Sequence, residues 1–181
     1  MESAIAVIRK ISGRITETTL PPTFPLLIPI TGPEAYAFHA KTLAESEDLY
    51  QPFTRDRIIQ FAADIKPPPY ANALRQTNLL RREIRKVFLT MVLLITSTMP
   101  NPAESSADAK TFDPVGLQNS SPFNIFGLPT ISVPCGITKS GLPIGLQISG
   151  APWAESTVLS LARAYERATE WHKKRPKLGS M

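Results

Sequence analysis

Apolar positions open the chain at helical spacing. Ile5, Ile8 and Ile11 recur through Glu2–Ser12, and Gly13 follows as a C-terminal stop. Arg14–Leu20 then alternates loosely and is rich in threonine, which predicts a strand ended by Pro21-Pro22. Helix, tight turn and strand in that order form half of a βαβ unit whose first strand is not seen. Thr31 and Pro33 suit an N-cap and an early helical proline, so a helix is expected over Glu34–Glu45. Thr54 is placed to cap a short helix through Ile65. Ala71–Met91 is the longest helical stretch, with Leu74, Thr77, Leu80, Ile84, Val87 and Met91 on one stripe. Its other face carries Arg75, Arg81, Arg82, Arg85 and Lys86 and reads as solvated.

The period changes in the second half. Val92–Thr96 is short and nearly all apolar, the pattern of a strand buried on both faces. A loop rich in proline and serine runs to about Asp113. Thr130–Cys135 and Leu142–Ser149 are two further strands, and Gly136–Gly141, centred on Lys139-Ser140-Gly141, joins them as a hairpin. Pro152–Trp171 closes the chain as an amphipathic helix with Val158, Leu161, Tyr165 and Ala168 inward. The sum is one domain over 1–181, an α/β fold with a mixed β-sheet flanked by helices.

Composition narrows the function classes. The 181 residues include 18 prolines, about twice the usual ~5%; they are dispersed and so mark element boundaries rather than a low-complexity tail. The net charge of +5 raises nucleic acid as a partner. The basic residues, however, collect on a helix face and in a tail at His172–Lys177, without the interleaved aromatics of a single-strand platform, so none is expected. Cys135 is alone, which excludes an internal disulfide and a cysteine metal site, and His39 and His172 are too far apart for a local ligand pair. No metal or cofactor is expected. There is no secretory signal pattern, and the longest apolar run, Phe88–Ile95, is far too short for a bilayer. The expected setting is cytoplasmic, with no membrane partner.

The informative stretch is Asn119–Gly150. It reads Asn-Ser-Ser-Pro-Phe-Asn-Ile-Phe-Gly-Leu-Pro-Thr-Ile-Ser-Val-Pro-Cys-Gly, then Ser-Gly-Leu-Pro-Ile-Gly-Leu-Gln-Ile-Ser-Gly. In order and without gaps, it resembles the C-terminal core of the amidase signature family. Leu93–Pro100 is similar to that family's Leu-Leu-Thr-Pro-Thr-x-Pro strand, Tyr36–Ala40 to its Tyr-His-Ala helix, and Ala164–His172 to its last helix. The resemblance covers nearly the whole chain, is best over 113–176 and is weakest before Glu34. Physically, the same residues suit a scaffold. Gly127, Gly136, Gly141 and Gly145 permit positive φ or close approach, Pro129 and Pro143 begin strands, and Asn124 suits an Asx-type bond to loop backbone.

The resemblance implies amide hydrolysis by a Ser-Ser-Lys triad, with an oxyanion held by backbone N–H groups of a Gly-Gly-Ser-Ser-Gly-Gly-Ser loop. These 181 residues contain no Gly-Gly pair, and Ser105-Ser106 and Ser120-Ser121 lack flanking glycines. No catalytic residue is therefore assigned. Ser120, Ser121, Lys139 and Ser140 could form an improvised Ser-Lys pair, but a capping turn and a hairpin tip account for them better. Cys135 with His39 or His172 is set aside for a buried, inert thiol; His39 reads as a packing residue and His172 as a cation complementing a helix end.

In the family's fatty-acid amide hydrolase members, the segment before the matching asparagine lines the acyl channel. Counting back from Asn124 implies substrate-pocket positions at Leu117 and Ser121. The expected function is the C-terminal segment of an amidase, inactive alone, with an N-terminal amidase half or another copy of itself as partner. A non-catalytic subunit of a split amidase and a binding protein on the same scaffold are the alternatives.

Overall fold

Alternation in one strand organises the molecule. A computed structural model describes residues 1–63, 67–105 and 115–176, with the side chains of 61–63 left aside. In β3 (Pro143–Gly150), Leu146 and Ile148 point to one face of the sheet and Gln147 and Ser149 to the other, and all four are buried. β3 is central, flanked by β1 (Leu93–Ser97) and β2 (Thr130–Ile137), both antiparallel to it. The register sets Ile148 beside Ile95 and Ile131, and Gln147 beside Thr96 and Ser132.

Helices cover both faces. α1 (Glu2–Ile11) and α6 (Glu155–Ala168) bury Ala4, Ile8, Val158, Ala162 and Tyr165 against Val133, Cys135, Leu146 and Ile148. On the opposite face, Ile84 of α4 (Pro67–Val87) and Phe123 and Phe126 of α5 (Ser121–Phe126) pack on Leu94 and Leu128. α2 (Phe24–Glu45) and α3 (Pro52–Ala63) lie against each other beside α4 and α5. The α/β class with flanking helices stands; the sheet is antiparallel throughout the described residues rather than mixed. Among those residues, no helix is long and apolar enough to cross a membrane.

Local chemistry explains the closures. The hairpin forms as expected: Gly141 N–H donates to Thr138 O at 3.0 Å, and Gly141 takes φ +88° in the tip. Gly127 at φ +67° ends α5 in a Schellman closure. Its N–H donates to Asn124 O at 3.1 Å, and the N–H of Leu128 to Phe123 O at 3.0 Å. Those backbone bonds close the loop, and Asn124 makes no Asx-type side-chain bond among the described residues.

Several expectations need correction. Arg14–Leu20 is not a strand: it pairs with nothing among the described residues. Ile15 joins one core cluster and Leu20 the other, so the segment is a connector tethered at both ends. The helix expected from Glu34 begins at Phe24 and runs through Pro29 and Pro33. Each proline forfeits an i→i−4 bond, and packing against α3, α4 and α5 compensates. Thr31 is then no cap, and its hydroxyl donates back to Leu27 O at 2.9 Å. Similarly, Thr54 lies inside α3, and Ile65 falls outside the described residues. β1 is an edge strand with only Leu94 fully buried, not a strand enclosed on both sides. On α6, Ala162 rather than Ala168 completes the inner face, because Ala168 is exposed at the last turn.

Candidate substrate cleft

Three separate stretches meet to form a cleft of about 390 Å³, within the usual range for small-molecule sites. α2 supplies Leu27, Ile28, Thr31, Gly32 and Ala35, which fall on one helical face. α3 supplies Phe53, Thr54, Arg57 and Ile58, again one face. The third wall is Leu117, at the end of the short 3₁₀ turn Val115–Leu117, with Ser120 just before α5 and Ser121 and Asn124 within it. Leu117 and Ser121, implied by counting back from Asn124, thus line the same cavity.

The lining combines aliphatic and aromatic side chains with hydroxyls, the Asn124 amide and the Arg57 guanidinium. Ser121 is only 2% exposed, and its Oγ has no hydrogen-bond partner among the described residues. An isolated buried hydroxyl of this kind is unusual in a folded protein. Burial lowers the Arg57 guanidinium from its ordinary value, and such a group remains charged at neutral pH.

The sheet holds the third wall in place. Gln147 is buried, and its Nε2 donates to Thr96 Oγ1 at 2.9 Å and to Asn119 O at 2.7 Å. Asn119 Nδ2 donates in turn to Ser97 Oγ at 2.8 Å. The loop carrying Leu117 and Ser120 is therefore pinned to β1 and β3. Farther along this face Thr98 and Ser132 join hydroxyls across Gly145; a Cβ at Gly145 would lie 2.5 Å from Thr98 Oγ1 and 2.7 Å from Ser132 Oγ. Only glycine in the middle strand leaves room for that bridge.

The other candidates do not assemble. Ser140 bonds Thr138 Oγ1 at 2.8 Å within the hairpin turn, and no hydrogen bond among the described residues joins Lys139 to Ser120 or Ser121. Cys135 is buried between the sheet and α6, and that burial raises its thiol above the ordinary range. His39 shares a 2.8 Å hydrogen bond with Tyr50 and packs edge-on against Phe38 and Tyr50, which is a packing role. His172 sits in the 3₁₀ turn Trp171–Lys173. Among the described residues no group of three or more His, Cys, Asp or Glu is placed to hold a metal. Sequence reasoning missed the α2 and α3 walls; the available signal was Phe24–Ile30, apolar all round and so unsuited to a solvent-facing connector.

Comparison with known proteins agrees with this architecture. The family model described as Amidase matches residues 35–159. A glutamyl-tRNA(Gln) amidotransferase subunit of Methanosarcina acetivorans is 44% identical over 111 residues, covering 59% of this chain and 23% of that protein. An amidase of Pseudomonas putida is 30% identical over 190 residues, covering 98% of this chain and 40% of that one. The structure of 6-aminohexanoate cyclic dimer hydrolase with its substrate superimposes at TM-score 0.76 and 21% identity, over 97% of this chain and 42% of that chain. The chain spans between a quarter and about two fifths of the length of these relatives. With the family model matched over residues 35–159, which include the whole Asn119–Gly150 stretch and the three strands of the sheet, the chain belongs to the amidase family.

Proposed function

We propose that this chain supplies the sheet scaffold and one side of the substrate pocket of an amide hydrolase, with Leu117 and Ser121 facing the acyl part of the substrate. The observation that supports this most is the meeting of those two residues, separated by a turn, in one small-molecule-sized cleft. The nucleophile and its base come from outside these residues, in the same polypeptide or in a partner protein carrying the serine- and glycine-rich loop. In the completed site a serine oxygen adds to the amide carbonyl, the C–N bond breaks, and the amine leaves with a proton. Water then releases the acid from the acyl-serine. The cleft contributes by holding the acyl group so that its carbonyl meets the nucleophile.

The test is hydrolysis of a panel of simple neutral amides by the purified chain, alone and with the serine-rich half of a related amidase. Silence alone and activity on combination is the expected result. Hydrolysis by the chain alone would overturn the reading and return attention to Ser120, Ser121, Lys139 and Cys135.

A further inference from the structure

The cleft has an apolar body with Thr31, Thr54, Arg57, Ser120, Ser121 and Asn124 as its polar lining, and of these only Ser121 is fully buried. Leu27, Ile28, Phe53, Ile58 and Leu117 supply the apolar surface. Ser121 lies among them with its hydroxyl shielded from solvent and without a hydrogen-bond partner among the described residues. Thr31, by contrast, has its hydroxyl engaged by Leu27 O. A buried hydroxyl without a partner costs stability, and serine is an expensive choice where alanine would fill nearly the same space. Nothing in the packing of α5 uses the oxygen: the helix end is closed by backbone bonds at Gly127 and Leu128 and by Arg81 Nε donating to Ile125 O at 2.8 Å. One χ1 rotor re-aims a serine hydroxyl without moving backbone.

We infer that Ser121 is a specificity-determining residue, and that the cleft selects amides whose apolar acyl part carries a hydroxyl or carbonyl for its Oγ to engage. The inference rests on the pocket reading above, and it adds a substrate class to it. A site that leaves a hydrogen-bonding group unpaired in the free state discriminates by that group, because an analogue without the matching atom leaves it unpaired in the complex too.

The test is binding of matched probes to the full chain by ligand-observed NMR. The probes are 3-phenylpropanamide and its three ring-hydroxyl isomers. The wild-type chain binds at least one hydroxyl isomer about three- to tenfold tighter than the parent, the range of one hydrogen bond. Ser121→Ala abolishes that preference, and its Tm is not lowered. Ser121→Thr restores part of the preference. Leu117→Trp, which fills the cleft, removes binding of every probe. If the wild type shows no preference, or Ser121→Ala keeps it, Ser121 is not the anchor, although the pocket stands as long as Leu117→Trp blocks binding. If no probe binds, or Leu117→Trp leaves binding intact, the pocket reading itself falls.

Discussion

Gly150 ends β3 where α6 crosses the sheet, and replacing it with alanine tests how that layer is held. A Cβ there would lie 2.7 Å from Val158 Cγ2, 3.3 Å from Ala154 Cβ and 3.4 Å from Ala154 O. The first separation is well inside van der Waals contact, so something must move. Val158 is β-branched and helical, which leaves it one strongly preferred χ1 and no inexpensive escape. The strand cannot retreat easily either, because Gly150 N–H donates to Pro129 O at 3.0 Å and its position is paired with Leu93. Overpacking of this kind costs about 1–3 kcal/mol. For a chain of this size that is a fall in Tm of about 3–10 °C.

Val158→Ala alone loses two buried methyl groups, about 1.6 kcal/mol of transfer free energy plus a cavity term. In the double variant the new methyl at 150 enters the space vacated at 158. The two costs are therefore less than additive by about 1–2 kcal/mol. Urea unfolding of the wild type, both single variants and the double gives the cycle, with the slope m checked for constancy. Stability within about 0.5 kcal/mol of wild type for Gly150→Ala, or strict additivity in the double, would refute the close approach of α6 to β3.

Three further outcomes follow from buried polar groups. Gln147→Leu strands the Asn119 carbonyl and frees the loop before α5, lowering stability by about 1–3 kcal/mol and exposing that loop to limited proteolysis; unchanged cleavage would count against the pinning. Tyr165 is 1% exposed, and its Oη has no hydrogen-bond partner among the described residues, so Tyr165→Phe leaves Tm unchanged or raises it, and a clear drop in thermal melting would contradict that lack of a partner. Cys135, raised by burial, resists thiol reagents in the native state at neutral pH and reacts on addition of denaturant. Since its folded value exceeds its unfolded one, it contributes stability fully present below the ordinary thiol range and lost as pH rises through the raised native value. Cys135→Ala removes that part of the alkaline loss, measured as urea midpoints across pH, and an unchanged profile would assign the loss elsewhere.

Elements defined by nearest neighbours were legible in the sequence. The β2–β3 hairpin is encoded by Gly141 between two alternating runs, the positive φ of Gly127 by the residue type itself, and α6 by its apolar stripe, since each depends on atoms a few residues apart. Leu117 and Ser121 were expected at a pocket only through a resemblance, not through their own chemistry, and both line the same cleft. Tertiary structure decided the rest. Arg14–Leu20 has the composition of a strand, but a strand exists only with a partner, and its two apolar ends are instead claimed by separate clusters. Pro29 and Pro33 predict a break, and the helix persists because its apolar surface packs against three other helices. The cleft joins the neighbouring helices α2 and α3 to Leu117 and the start of α5, far along the chain from both. No local pattern encodes that meeting, because its enclosure comes from the packing of whole helices and from Gln147 fastening a distant loop to the sheet.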